Sequence, residues 1–138
     1  MIKFFTDKIT YKFPYGFKKK YAQWLYRVAS SEGKNIRSLN IILTSDEELL
    51  SINKQFLNHY DFTDIITFDF SRQDNIYGEI YISFDRIKEN AKLYDHPENV
   101  EMERIIVHGL LHLCGYTDKK PEDKKQMTRK EDYYLAFI

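Results

Sequence analysis

Hydrophobic positions near the start of the chain recur at helical spacing and then give way to a short β-rich segment. The apolar residues that define this first helix are Phe17, Tyr21, Trp24, Leu25 and Val28. Gly33 is suited to end the helix because glycine readily adopts a left-handed conformation. Residues 39–44 are predicted to form a strand. Ser45 and Glu48 have the spacing of a capping box, which predicts a second helix ending near Leu57.

Two further segments alternate between hydrophobic and polar residues and predict a β-hairpin. These segments are residues 63–70 and residues 77–84, and Asp74 and Asn75 lie between them at a position that favours a turn. The residues expected to share a face are Ile66, Phe68 and Phe70 in the first segment and the inward-pointing Ile80, Ile82 and Phe84 in the second.

Three helices are predicted after the hairpin. The first covers residues 86–93, the second has Pro97 in its first turn and ends at Gly115, and the third begins at Pro121 and carries Met127 and Tyr134. The predicted order is βαβαββααα, with one more strand allowed near Ile9–Phe13. This order indicates an α+β fold in which residues 1–138 form one domain, with helices packed on a small mixed sheet.

Composition and charge narrow the functional classes. A length of 138 residues suits one domain, and the balance of 21 basic and 21 acidic residues excludes a uniformly basic nucleic-acid binder. An RNA substrate is neither favoured nor excluded by this balance. No apolar run approaches the ~20 residues that span a bilayer, and the start of the chain does not resemble a signal peptide. A single cysteine excludes an intramolecular disulfide. We therefore expect a cytoplasmic protein without membrane contact.

The second helix after the hairpin carries two histidines that can chelate a metal. At 100° per residue, His108 and His112 lie about 40° apart, on the flank of the apolar face of a helix that should be central in the fold. A pair one turn apart can bind one ion. The alternative is a pair of partly buried imidazoles with hydrogen-bonding partners.

Asp118 favours the metal hypothesis over that alternative. A left-handed Gly115 can turn the chain back so that the Asp118 carboxylate reaches the histidines. Two histidines and one aspartate make three ligands, and catalytic zinc sites keep three protein ligands and a fourth position for water. Cys114 points away from the pair and is interpreted as a buried free thiol, while His59 and His96 are interpreted as surface or loop residues. The prediction is one bound zinc ion, although such a ligand set also binds other divalent metals.

The residue after His108 is Gly109, so the sequence lacks the glutamate that zinc proteases place there as a general base. This difference argues against ordinary peptide-bond hydrolysis, and sequence assigns no other catalytic base. Thr63 and Asp64 lie at the start of a predicted strand and can reach the pocket, but strand-end hydrogen bonding explains them equally well.

At this point the motifs resemble a known family. The segment His108-Gly-Leu-Leu-His112-Leu-Cys-Gly115-Tyr116 resembles the signature of the YbeY family of bacterial endoribonucleases, which act in ribosomal RNA maturation. Residues 63–68 are similar to the Thr-Asp-Val-Leu-Ser-Phe strand of that family, residues 78–82 to its Gly-Asp-Ile strand, and residues 53–56 to the helix end before them. The resemblance covers residues 39–135. It implies an α+β fold, a zinc-type metal, a single-stranded ribosomal RNA substrate and the ribosome or a ribosomal protein as partner.

The chain departs from the family pattern at two positions. Asp118 stands where the family usually has a third histidine, and Leu57 stands where it usually has an arginine that could clamp a phosphate. Cations that could compensate for the missing arginine are Lys54, Arg72 and Arg86, although each is also explained as a solvated surface residue. The lysines of residues 18–20 and 119–125 are interpreted as solvated helix faces, with an RNA contact as the alternative.

The leading functional hypothesis is therefore a metal-dependent, single-strand-specific endoribonuclease. It would act on the 3′ end of small-subunit ribosomal RNA and in ribosome quality control. One alternative is a non-enzymatic ribosome-assembly factor that the metal stabilises, and another is a metal-dependent hydrolase of a different substrate. Because a carboxylate reduces the positive charge of the site relative to three histidines, water at the metal should be less acidic and the pH optimum higher.

Overall fold

The computed structural model describes residues 1–59 and 63–138. Strands and helices follow the predicted order βαβαββααα. They are β1 (Ile2–Thr6), α1 (Phe17–Ser31), β2 (Asn35–Thr44), α2 (Asp46–Leu57), β3 (Ile65–Asp69), β4 (Asn75–Ser83), α3 (Phe84–Leu93), α4 (Glu98–Leu113) and α5 (Pro121–Leu135). The predicted α+β class is confirmed.

The four strands form one mixed sheet in the order β1-β2-β4-β3. Neighbours β1 and β2 run parallel, as do β2 and β4, whereas β3 and β4 are antiparallel. The predicted hairpin is thus confirmed, and Arg72 and Asn75 close its turn with two backbone hydrogen bonds of 2.9 Å. The hairpin places β3 at one edge of the sheet, where Asp64 immediately precedes the strand.

The strand allowed near Ile9–Phe13 is wrong, because the N-terminal strand is Ile2–Thr6. Strand β2 pairs with β1 on one side and with β4 on the other, so residues 9–13 find no free edge there. Tyr11 and Phe13 are instead half-buried against the core, and their rings lie 4.7 Å from the Phe84 ring and 5.1 Å from the Phe17 ring, respectively. Their apolar character reflects packing against the core and not strand pairing.

Helix α4 lies against the sheet and is the central helix of the fold. Its Val107, Leu110 and Leu111 are fully buried. A Cβ added at Gly109 would lie 2.9 Å from Cδ1 of Ile65, so glycine allows the close approach of this helix to β3. Gly109, which stands where zinc proteases have a glutamate, therefore has a packing role. Within the described ranges, no helix is long and apolar enough to cross a membrane.

Candidate metal centre

The turn after α4 brings Asp118 back to the two histidines. Gly115 has φ 107, and the N–H of Tyr116 donates to the carbonyl of Leu111 at 3.1 Å. This geometry ends the helix and reverses the chain, as the position of Gly115 predicts. Asp118 Oδ2 then lies 3.3 Å from His108 Nε2 and 3.5 Å from His112 Nε2.

The three side-chain atoms have the separations that a tetrahedral cation requires. The Nε2 atoms of His108 and His112 are 3.0 Å apart, and the three residues form a group that could hold a metal ion. A tetrahedral ion with bonds of about 2.0–2.1 Å to nitrogen separates its ligand atoms by roughly 3.3 Å. The separations of 3.0, 3.3 and 3.5 Å bracket that value. The donor set therefore fits a zinc-type ion.

The second ring nitrogen of each histidine is occupied by an acceptor. Nδ1 of His108 lies 2.6 Å from Oε2 of Glu131, and Nδ1 of His112 lies 3.0 Å from the carbonyl oxygen of Tyr116. Because a carboxylate and a carbonyl only accept, each Nδ1 carries a hydrogen and donates it. In the neutral rings both Nε2 lone pairs are thus free and face the Asp118 carboxylate, so three electron-rich atoms converge on one point. A cation at that point would relieve their mutual repulsion.

Glu131 is itself held in place by a cation. Its side chain is 8% exposed, and its Oε1 accepts a hydrogen bond of 2.8 Å from Arg104. The other guanidinium nitrogen of Arg104 donates to Asp132 at 2.7 Å. Burial lowers the pKa of His108, but the hydrogen bond and charge of Glu131, with the charges of Asp118 and Asp64, outweigh burial and raise the pKa overall. The surroundings of the site therefore favour positive charge at His108.

A small cavity of about 130 Å³ opens beside His108. Its lining includes Asp64, Asn90, Glu101 and Arg104, so polar groups from the residue before β3, from α3 and from α4 meet next to the candidate ligands. The proximity expected for Asp64 is confirmed. Thr63 instead donates its hydroxyl hydrogen to the carbonyl of Ile65 at 3.2 Å, which is the strand-end role given as its alternative.

Other residues considered from sequence lie apart from the three ligands. Cys114 is half-buried against the core, and burial raises the pKa of its thiol to about 12, which agrees with an inert free thiol. His59 is exposed, and His96 bonds to Glu101 at 2.8 Å. Arg86 pairs with Asp46 at 3.1 Å, so a large part of its charge is already neutralised. Leu57 is the last residue of α2 and is 40% exposed.

Sequence reasoning missed Glu131 and Arg104. A signal for Glu131 exists, because Met127, Glu131 and Tyr134 follow helical spacing and all three are buried on one face of α5. A glutamate on a buried face needs a hydrogen-bonding partner, and Arg104 and His108 of α4 are its partners. The pairing of α4 with α5 is a tertiary contact that no local spacing predicts.

Comparison with known proteins identifies relatives over the whole chain. The family model described as Endoribonuclease YbeY matches residues 5–138. The Endoribonuclease YbeY of Phocaeicola vulgatus is 39% identical over 138 residues, which are 100% of this chain and 99% of the relative. That of Flavobacterium psychrophilum is 46% identical over 118 residues, or 86% of this chain and 84% of the relative. The solution structure of TM1509 from Thermotoga maritima matches with a TM-score of 0.68 and 28% identity, covering 98% of this chain and 87% of that one.

Proposed function

This chain belongs to the endoribonuclease YbeY family, and from that premise we propose that it cleaves single-stranded ribosomal RNA at the metal centre of α4. It is a hydrolase of RNA that acts in ribosomal RNA maturation. The finer proposal is that residues 1–138 form one catalytic domain that matures the 3′ end of small-subunit ribosomal RNA in the cytoplasm, in contact with the ribosome or a ribosomal protein.

The observation that carries this proposal is the convergence of three ligand atoms with free lone pairs. His108, His112 and Asp118 supply these atoms within 3.5 Å of one another, and both Nδ1 atoms are engaged elsewhere. Three protein ligands leave a position open for water or substrate, which is typical of a catalytic site and not of a structural one. Zinc is the proposed metal because tetrahedral geometry and imidazole ligands suit it.

The side chains divide the work at the site between them. A divalent cation bound there would supply Lewis-acid polarisation of a phosphoryl oxygen and activation of a water molecule. Glu131 and the Tyr116 carbonyl fix the tautomers of His108 and His112, so that both Nε2 atoms stay available as ligands. Asp118 contributes a negative charge, from which we expect a pH optimum above that of a site with three histidines.

Metal content and RNA cleavage, measured together, test this proposal. We expect about one equivalent of zinc in the wild type and much less in Asp118→Ala and His112→Ala, with loss of cleavage of a single-stranded RNA in both variants. Asp7→Ala, which changes an exposed aspartate outside the site, is the matched control and should keep metal and activity.

The same variants separate the alternatives. If His112→Ala loses both metal and fold, as followed by circular dichroism, the metal is structural and the assembly-factor hypothesis replaces the enzyme. A wild-type protein that takes up no zinc when zinc is supplied would contradict the metal centre itself. Zinc binding without RNA cleavage, but with hydrolysis of another ester, would support a different substrate.

A further inference from the structure

A groove runs between α1 and α5, and Glu131 does not line it. It consists of two adjoining cavities of about 450 and 320 Å³, and both include Ser31, Tyr133 and Tyr134 in their walls. Neither cavity is lined by His108, His112 or Asp118. The groove is therefore separate from the metal centre and has no part in the chemistry proposed above.

The walls of this groove carry an excess of positive charge. Arg27, Arg129 and Lys130 line it, and Glu32 is the acidic residue among them. Glu32 is 8% exposed and already accepts hydrogen bonds from Tyr116, Tyr134 and Lys130, so its charge is neutralised within the protein. Arg27 and Arg129 are left to face solvent, whereas the cavity beside His108 is rich in carboxylates. In a chain of zero net charge, this lining is complementary to a polyanion.

Exposed aromatic rings accompany these cations. Tyr133 is 57% exposed and Phe137 is 51% exposed, and their ring centroids lie 4.8 Å apart. Arg27 donates to the carbonyl oxygen of Phe137 at 3.4 Å, which ties the end of α5 to α1. Proteins that bind single strands combine a positively charged groove with aromatic rings on which unpaired bases stack. An acidic peptide would use the cations but would gain little from the flat rings.

Tyr116 forms one hydrogen bond to a groove residue and another to a candidate metal ligand. Its hydroxyl donates at 2.6 Å to Glu32, which lines the groove, and its carbonyl accepts from Nδ1 of His112 at 3.0 Å. Tyr116 therefore links a residue of the groove wall to a candidate metal ligand, and this link is the structural basis for assigning both regions to one bound strand.

We propose that the groove of Arg27, Arg129 and Tyr133 binds phosphates and a base of the same single-stranded RNA, beyond the nucleotides at the metal. This inference rests on the proposed function for the identity of the strand. The groove supplies affinity and orientation, and the metal centre supplies the chemistry.

Salt-dependent binding tests the electrostatic part of this proposal. The anisotropy of a fluorescein-labelled single-stranded RNA is followed with the full chain in the presence of a chelator, so that cleavage does not interfere. Arg27→Ala combined with Arg129→Ala removes two phosphate contacts and should reduce the slope of log K against log salt by about 1.4. Lys124→Ala combined with Lys125→Ala changes two exposed cations of the same helix outside the groove and should leave the slope unchanged.

The aromatic part has its own matched pair of variants. Tyr133→Ala should weaken RNA binding about fivefold or more, and Tyr133→Phe, which keeps the ring, should restore it. In the zinc-loaded enzyme both groove changes should raise KM with kcat unchanged, because the reacting atoms are untouched.

The outcomes separate the groove from the proposed function. Cleavage by the wild type with no effect of the groove variants would overturn the groove and leave the endoribonuclease intact. RNA binding that depends on the groove without cleavage would support the groove and contradict the enzyme. Equal losses in the groove pair and in the Lys124 and Lys125 pair would also overturn the groove, because diffuse surface charge would then explain the binding.

Discussion

Glu131 lies on α5, and Glu32 contacts α5. Their side chains are equally buried, but they contribute to different properties of the protein. Each has a side chain that is 8% exposed, and each is paired with a cation that is 34% exposed, Arg104 for Glu131 and Lys130 for Glu32. They differ in their remaining hydrogen-bond partners. Glu131 accepts from a candidate metal ligand, His108, whereas Glu32 accepts from two tyrosine hydroxyls.

The role of a buried carboxylate thus depends on which groups donate hydrogen bonds to it. Glu131 fixes the tautomer of a ring whose other nitrogen faces the metal position, so its effect should appear in metal affinity. Glu32 joins the end of α1 to Tyr116 and α5, so its effect should appear in the free energy of unfolding. A variant of either glutamate is therefore the matched control for the same change in the other.

The largest effect is expected at Glu131. In Glu131→Gln the charge that favours the Nδ1 hydrogen of His108 is lost, so we expect the dissociation constant for zinc to rise about 10–100-fold. Competition with a chromophoric chelator measures this constant. Glu32→Gln should change it by less than about threefold, since Glu32 reaches the site through Tyr116 alone. Equal losses of affinity in the two variants would show that the site responds to general loosening of the fold.

For the free energy of unfolding, the larger effect is expected in Glu32→Gln. Glu32→Gln weakens hydrogen bonds from Tyr116 and Tyr134, and we expect the free energy of unfolding to fall by about 1–2 kcal/mol. Urea denaturation followed by tryptophan fluorescence suits this measurement, because Trp24 is buried and its ring nitrogen donates to the Tyr134 carbonyl. A variant as stable as the wild type would show that the tyrosines simply find water instead.

The two sites should also respond to pH in opposite directions. Burial raises the pKa of Glu32, but the hydrogen bonds from Tyr116, Tyr134 and Lys130 outweigh burial and hold it below its ordinary value of 4.5. Its contribution to stability is thus present above that value and is lost as the pH falls through the lowered pKa. In the metal-free protein the raised pKa of His108 gives a contribution that is present below 6.5 and is lost as the pH rises.

Denaturation of metal-free protein across pH checks both signs. The stability difference between wild type and Glu32→Gln should shrink as the pH falls below 4.5, whereas the difference for Glu131→Gln should shrink as the pH rises above 6.5. A Glu32 difference that persists at the acid end would mean that its hydrogen bonds stabilise the neutral carboxyl equally well.

The contacts of Glu131 and Glu32 also show which parts of the molecule can be predicted from sequence. The ligand triad follows from two local facts, the one-turn spacing of His108 and His112 and the short distance from the Gly115 turn to Asp118. Glu131 is 23 residues from His108, and Glu32 is 84 residues from Tyr116, so both contacts depend on how helices pack. Periodicity places helices in order, but it does not say which polar residues meet between them.

The error near Ile9–Phe13 has the same origin. Strand β1 is short and its Phe5 is exposed, so residues 2–6 give only a weak alternating pattern of hydrophobic and polar residues. Tyr11 and Phe13, with Lys12 between them, give a stronger alternating pattern. Which of the two segments pairs with β2 is decided by the sheet as a whole. Local patterns therefore predicted the elements that carry the ligands, and packing determined the residues that hold those ligands in position.

The smallest effect is expected from changes to Arg104 and Lys130, the cations paired with the two glutamates. Lys130→Met keeps the length of the side chain but removes one of the three donors to Glu32, and a one-third exposed ion pair contributes at most about 1 kcal/mol. Arg104→Met removes a pair of the same exposure, so the loss of stability should be similar. Only Arg104→Met should also weaken zinc binding, by a few-fold, because Glu131 is then less firmly held against His108. Zinc affinities that fall equally in both variants would contradict a specific chain from Arg104 through Glu131 to the ligand.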